Sequence, residues 1–389
     1  MMLSHSPPVP TFAYDSYQVH RAALARGLTV LALPRQVLLA GVKTAVPAAV
    51  SFTHGVPQAS TMSAVTHAQD RRLRRALMER DGLPVPKGAT FTYRSAESAS
   101  RWAEEIGWPV VAKEAMGENP ATMVAKIESA DALHAAFRTL RVRTPEDRAP
   151  GRNPRIAGYA ATRLGFDIDD QGNQVAPPRT RFLVEKQLRG EYVRIFTCGD
   201  DALIAITLDR AADTGADDVT GSIDPSLLRL AVQAVRCIPG LAAGTVDLVV
   251  DDHRQPLDRQ SVHIVELAER PRAEAFATVS PVLGDRIGDY LIEFQASVAG
   301  LSLDDMKDTI SVSVRIEGLR RAETAMDELL AVTREFGVDS TFTVADNVEG
   351  ILTGHCSGHP AAIAALNEGL ISGTAIGDRP SCIESRASV

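Results

Sequence analysis

The stretch VHIVELAERPRA, residues 262–273, constrains this chain more than any other. Val262, Ile264 and Val265 read as a buried strand, yet the run ends in Glu266, Glu269 and Arg270, three ionisable groups at the mouth of an apolar core. Upstream, TVDLVV (245–250) is a second β-branched strand with one acid, Asp247, in its middle, and the turn-rich DDHRQPLDRQ joins the two. The pattern predicts an antiparallel pair that holds carboxylates close together. Burying such charges is costly unless a cation or a hydrogen-bond network compensates them. A hard divalent metal is one such cation. Arg270 or Arg272 would satisfy the same acids without metal.

At 389 residues the chain is too long for one compact core and is expected to divide into two or three domains. Its 49 acids and 41 bases give a net charge of −8 and are dispersed, so no nucleic-acid partner is expected. No apolar run approaches the roughly 20 residues that span a bilayer, so no membrane partner is expected either. The opening MMLSHSPPVP has neither the basic region nor the apolar region of a signal peptide. Cys198, Cys237, Cys356 and Cys382 lack paired spacing, as in a reduced compartment, and a cytoplasmic protein is expected.

Residues 11–66 hold a helix-like DSYQVHRAALARGL followed by the strand-like TVLALP and AVSFTHG, a small α/β unit. HAQDRRLRRALMERD (67–81) is a charged amphipathic helix that GLPVPKG stops, because Gly82 favours a left-handed cap and Pro84 and Pro86 cannot continue a helix. Strands and helices then alternate through ATFTY, SAESASRWAEEIG, WPVVAKEA, TMVAKIES and ADALHAAFRTL. Residues 141–180, rich in Arg, Pro, Gly and Asn, read as a surface insertion. TRFLVEKQL and YVRIFTCGDDALIAITLDR return to strands, DPSLLRLAVQAVRCI is a helix, and PVLGDRIGDYLIEFQASVAG closes the unit with another.

Over residues 11–297 this order resembles the ATP-grasp superfamily of carboxylate-amine ligases, and four motifs carry the likeness together. QDRRLRRALMERDGLPVPKGATF is similar to the family's Asp-Lys helix and turn; IGWPVVAKEAMG is similar to the strand whose lysine reaches the nucleotide phosphates. FLVEKQLRGEYVR resembles the hinge on adenine, and VDLVV with HIVELAERP resembles the metal-binding hairpin. The resemblance implies ATP and Mg²⁺ as cofactors, with Asp247, Glu266 and Glu269 on the metal and Lys113 and Arg71 on the phosphates. It implies Glu185, Lys186, Gln187 and Leu188 at adenine, largely through backbone groups, and Glu191 at the ribose. Arg270 would meet the charge developing on phosphoryl or tetrahedral oxygens, and Arg210 resembles a second substrate-side arginine of cyanophycin-synthetase-like members. An acylphosphate-forming ligase needs such cations to bring a carboxylate onto the γ-phosphate, and the planar guanidinium suits oxyanions. The substrates implied are a carboxylate and an amine of amino-acid or peptide type.

The chain departs from that pattern in three places. The Asp-Lys pair is Asp70-Arg71; the phosphate loop MGENPATMV has only Gly117 and contains Pro120; the usual Glu-x-Asn reads Glu266-Leu267-Ala268. Fewer glycines leave the backbone a poorer approach to phosphate. An alternative is therefore kept: a degenerate nucleotide-binding or scaffold protein without turnover. For Arg194 a plain salt bridge stands beside a nucleotide role, and for Lys113 a snorkelling surface lysine.

Residues 308–389 read as a further domain: DTISVSVRIEGL alternates strictly, and a helix, a hairpin, a helix and a last strand follow, the βαββαβ order of a ferredoxin-like fold. VRIEGLRRA and FGVDSTFTVADNVEG resemble acylphosphatase, but Ala322 and Val344 stand where that family places its arginine and asparagine. A silent relative with a role in homodimerisation or substrate gating is expected. His355, Cys356 and His359 in GHCSGHP are candidate zinc ligands, with a plain turn the commoner reading. The chain lacks Gly-x-Ser-x-Gly, His-Glu-x-x-His, the Walker lysine motif, Cys-x-x-Cys and Gly-x-Gly-x-x-Gly. The expected architecture is α/β (α+β): a Rossmann-like unit over 1–66, an ATP-grasp module over 67–298 and an acylphosphatase-like domain over 305–389.

Overall fold

The computed structural model describes residues 9–41, 49–116, 123–141, 167–168, 174–175, 181–208 and 216–387. The chain opens with α1 (Tyr14–Ala25) and the strands β1 (Thr29–Leu33), β2 (Val37–Gly41), β3 (Ala49–Thr53) and β4 (Val56–Pro57). Helices α2 (Met62–Gln69) and α3 (Arg71–Arg80) follow, then β5 (Gly88–Thr92), α4 (Ala96–Ile106), β6 (Val110–Glu114), β7 (Met123–Ile127) and α5 (Ala130–Arg141). Next come the short pair β8 (Asp167–Ile168) and β9 (Gln174–Val175), then β10 (Arg181–Lys186), β11 (Glu191–Cys198), β12 (Asp201–Thr207), α6 (Pro225–Arg236), β13 (Ala243–Val250) and β14 (Val262–Ala268). The chain closes with α7 (Ala273–Val279), α8 (Pro281–Ala299), β15 (Ile310–Glu317), α9 (Ala322–Glu335), β16 (Asp339–Asp346), β17 (Ile351–Gly358), α10 (Pro360–Ser372) and β18 (Cys382–Ala387).

Two compact units form: one of residues 1–59 and 270–389, the other of 60–269. This differs from the division expected from the sequence. The N-terminal strands and the C-terminal βαββαβ run share one eight-stranded sheet in the order β16-β17-β15-β18-β1-β2-β3-β4, sealed by the antiparallel pairing of β1 with β18. Helix α8, expected to close the ATP-grasp module, belongs to this unit as well, together with α7.

The expected Rossmann-like unit is corrected by the pairing of β1 to β4, which is an antiparallel meander. Its turns explain why. Arg35 and Gln36 both take positive φ (64° and 57°), as do His54 and Gly55 (53° and 75°). That is the geometry of the tight two-residue hairpin, which matches strand twist and leaves no room for a crossover helix. Helix α1 is buried almost all round, so its polar residues need partners. Ser16 Oγ donates to Glu368 Oε1 at 3.0 Å, His20 Nδ1 lies 3.1 Å from the same oxygen, and Arg21 pairs with Asp289 at 2.6 Å. Helix α8 lies close on α1: a Cβ at Gly288 would stand 2.2 Å from the backbone oxygen of Gln18, so only glycine allows the approach.

The other unit has two four-stranded antiparallel sheets, β5-β10-β6-β7 and β12-β11-β13-β14. On the first, Ala99, Ala103, Leu133 and Phe137 of α4 and α5 pack onto Val110, Ala112, Phe182 and Val184, with the Phe137 and Phe182 rings 4.7 Å apart. On the second, Leu227, Leu230, Ala231 and Ala234 of α6 pack onto Val193, Ile195, Val246 and Leu248. All eight residues of β13 are buried, which is why TVDLVV reads as nearly continuous apolar sequence.

Candidate functional site

A group of charged residues of this second unit is brought together from four elements, α3, β6, β10 and β14. Helix α3 starts with Asp70 as its N-cap, whose Oδ1 accepts from Arg72 N at 2.9 Å. Its face carries Arg71, Arg74 and Arg75, three or four positions apart, so they project the same way. With Lys113 and Glu185 from the first sheet and Ile264 to Leu267 from β14 they line a cleft. Lys113 Nζ pairs with Glu185 Oε2 at 2.8 Å and donates to Val265 O at 3.0 Å; Arg75 reaches Glu185 Oε1 at 2.7 Å. Lys113 and Glu185 are both buried. Burial pulls the Lys113 ammonium below the ordinary lysine value, against the opposing pull of Glu185. Burial alone would raise Glu185, but Lys113, Arg75 and Arg71 outweigh it and hold the carboxyl below the usual range. Lys113 is thus no snorkelling surface residue. The cavity left between these side chains is about 20 Å³, room for about one water.

Asp247 and Glu266 sit side by side, as the opening stretch predicts: they are direct partners in the β13–β14 ladder, next to a bulge. What compensates them differs from the metal expected. Arg194, opposite Asp247 on β11, grips both its oxygens, Nε to Oδ1 at 2.7 Å and Nη2 to Oδ2 at 2.8 Å. Glu266 Oε2 accepts from Arg71 Nη2 at 3.2 Å, and Oε1 is ion-paired with Arg74. Arg71 also donates to Glu114 O at 2.7 Å. Glu269, the third expected ligand, accepts from Gln69 Nε2 at 2.7 Å.

These acids do not make a trio that could share an ion. Among the described residues, Glu191, Asp252 and His253 form the one His/Cys/Asp/Glu group whose ligand atoms lie within 4.8 Å of one another. There Glu191, expected at a ribose, instead accepts from His253 N at 3.0 Å and lies 2.8 Å from its Nδ1, while His253 Nε2 meets Ser222 Oγ at 3.1 Å. The cluster closes on itself and ties the start of β11 to the β13–β14 connection.

At the expected hinge, Lys186 N donates to Lys87 O at 2.8 Å and Gln187 N to Pro109 O at 3.1 Å, while the Lys186 ammonium donates to Gly107 O and Trp108 O, both at 2.9 Å. Leu188 follows, half-buried. Arg270 opens the other unit, where its guanidinium pairs with Asp15 at 2.8 Å. Arg210, Gly117, Pro120 and most of the 141–180 insertion lie outside the described residues.

The candidate zinc residues do not converge: His355 is exposed on β17, Cys356 is buried on the alternate face, and His359 Nδ1 accepts from Ala361 N to cap α10. All four cysteines are free, and burial pushes the thiols of Cys198, Cys237 and Cys356 up to about 12 and that of Cys382 to about 11. Arg74 is the residue that sequence reasoning missed; Arg71 was expected on the phosphates rather than on Glu266, and Arg194 makes the salt bridge that stood beside its nucleotide role. The i, i+3 spacing of Arg71 and Arg74 was the available signal.

No protein-family model matches the chain, and no curated protein matches it. Among solved structures it is similar to the D-alanine–D-alanine ligase from Coxiella burnetii, with a TM-score of 0.42 at 12% identity over 62% of this chain and 60% of that one. The D-alanine–D-alanine ligase from Bacillus anthracis complexed with ATP gives 0.42 at 13% identity, over 62% and 70%. The ATP-grasp ligase PsnB complexed with precursor peptide PsnA2 and AMPPNP gives 0.38 at 16%, over 60% and 59%. The chain therefore spans about 60% of the length of the Coxiella ligase. Likeness at this level assigns neither residues nor substrates. Among the described residues no helix is long and apolar enough to cross a membrane.

Proposed function

We propose that the chain is an ATP-dependent ligase of the ATP-grasp type, in which the polyphosphate of ATP enters the cationic cleft of the second unit by displacing Glu185 from Lys113 and a carboxylate is activated as acylphosphate before it joins an amine of amino-acid or peptide class. The observation that carries this reading is Lys113, a buried lysine on the inner strand β6 that shares its cleft with Arg71, Arg74 and Arg75. A cluster of fixed, largely desolvated cations on rigid elements is what polyphosphate binding and phosphoryl transfer need. Lys113 and Arg71 are the phosphate contacts in this reading, the 185–188 hinge is the adenine contact, and Arg270 and Arg210 stay the substrate-side arginines that the resemblance implies.

A second reading, nucleotide binding without turnover, is favoured by one specific feature: two of the three acids expected on the metal, Asp247 and Glu266, are held by guanidinium groups. The βαββαβ run over 310–387 is read as a ferredoxin-like relative of acylphosphatase that is catalytically silent. Ala322 is buried where an arginine is needed, and Asp378 Oδ2 already accepts from the backbone N–H groups of Arg320 and Arg321, at 2.6 and 3.1 Å, before α9. A carboxylate there repels a phosphoryl group.

Calorimetric titration of ATP into the protein and into Lys113→Ala tests the site. A contact from a buried cation is worth about 1.5–3 kcal/mol, so the variant should bind roughly ten- to a hundredfold more weakly. Unchanged affinity would remove Lys113 from the site. ADP release with paired amino acids then separates the ligase from the binding protein.

A further inference from the structure

The hairpin acids were expected to hold magnesium, and the donor set does not fit it. Magnesium requires near-octahedral oxygen ligands at about 2.0–2.1 Å. Both Asp247 oxygens are on Arg194, and each Glu266 oxygen faces Arg71 or Arg74.

We infer that guanidinium groups take the place of the divalent ion, so that this chain binds the polyphosphate of its nucleotide without magnesium. The inference rests on the nucleotide reading given above and deepens it. Backbone register is its first support. Arg194, Asp247 and Glu266 are consecutive ladder partners across β11, β13 and β14, so the arginine is placed by the sheet itself. A side chain that merely swung into a vacant metal position would not need that register.

Burial is the second. Asp247 is 2% exposed, and Arg71 and Arg74 are 4% exposed each, so in every one of these part-buried pairs separation leaves an uncompensated charge on a buried side chain. An incoming ion would first have to displace them. Charge balance is the third. Four cationic side chains, Arg71, Arg74, Arg75 and Lys113, line the cleft against two acids, Glu185 and Glu266. With the Arg194–Asp247 pair neutral, the cleft is cationic before any metal arrives, and a polyphosphate is attracted to it directly. The replacement of lysine by Arg71 has a role here: its fork contacts the Glu266 carboxylate and Glu114 O together, which an ammonium cannot do with the same geometry.

The test is calorimetry of ATP binding to the full chain in excess EDTA and in excess magnesium. The expected result is a Kd in EDTA less than about tenfold weaker than in magnesium, a difference under ~1.4 kcal/mol. Weakening of tenfold or more in EDTA overturns the inference and leaves the nucleotide site standing. Absence of binding in both conditions removes the nucleotide site and the inference with it. Arg194→Gln, and at the other acid Arg71→Gln, whose Glu266 retains Arg74, identify the replacing group. A folded variant should gain magnesium dependence of at least about tenfold; if both bind ATP alike with and without magnesium, guanidinium is not what replaces the ion.

Discussion

Glu185 and Lys113 show how a single pair can both build and block a site. The carboxylate compensates the buried ammonium, and in the proposed nucleotide site ATP would displace it to reach Lys113. Glu185→Gln is therefore expected to tighten ATP binding in calorimetry while lowering stability by about 3–5 kcal/mol, because Lys113 loses its counter-charge in the interior. A variant with weaker ATP binding would mean that Glu185 contacts the nucleotide favourably. His54 gives a second prediction at this scale. It is buried in the other unit with Nδ1 at 2.6 Å from Gln36 Oε1, and burial, with Arg270 adding to it, lowers its pKa from 6.5 to about 3. The folded state then favours the neutral ring, so below 6.5 the unfolded chain binds the extra proton. This contribution is complete above pH 6.5 and is lost as pH falls towards 3, on the order of 1 kcal/mol per pH unit. Asparagine tolerates the positive φ at this position. The melting temperature of the native chain should fall relative to that of His54→Asn as pH drops from 7 to 4; a constant difference over that range would refute the assignment.

At the scale of elements, the α1–α8 contact depends on what is missing from a side chain. Gly288 sits in the middle of a long helix where glycine costs about 1 kcal/mol against alanine, yet a Cβ would meet Gln18 O at 2.2 Å. Gly288→Ala should therefore destabilise by about 1–3 kcal/mol, through overpacking, despite improving helix propensity. A raised melting temperature would show that the helices part without cost.

For the whole molecule, the sheet decides which fragments fold. β18 pairs with β15 on one side and β1 on the other, and the buried Glu368 and Asn367 of α10 are satisfied by Ser16 and His20 of α1. Residues 305–389 expressed alone would expose a strand edge and strip these polar groups of their partners. The fragment should show a broad, low melting transition or aggregate, and recover a cooperative melt when 1–59 is supplied. A sharp, concentration-independent melt of 305–389 by itself would contradict this.

Much of the second unit was legible in the sequence because its signals are local. The breaker GLPVP after an amphipathic helix and the acids placed in TVDLVV and VHIVELA each follow from a local apolar run or a turn residue acting over a few positions. The side-by-side placement of Asp247 and Glu266 followed as well, since hairpin register depends on the strands and their connection. Which cation compensates those acids could not be read in this way. Arg194 is 53 positions from Asp247 and Arg71 is 195 from Glu266, so the partnership exists only once the sheet and α3 are assembled. The same holds for the N-terminal strands. Their apolar pattern marked β1 and β3 as strands but did not single out β2 and β4; the two-residue turns at Arg35-Gln36 and His54-Gly55 made the four a meander, and the long-range pairing of β1 with β18 joined the two ends of the chain in one sheet. Sequence period specifies which face of an element is buried; which distant face covers it, and which charge meets which, is settled by tertiary packing, because those energies arise between residues that the chain does not place next to one another.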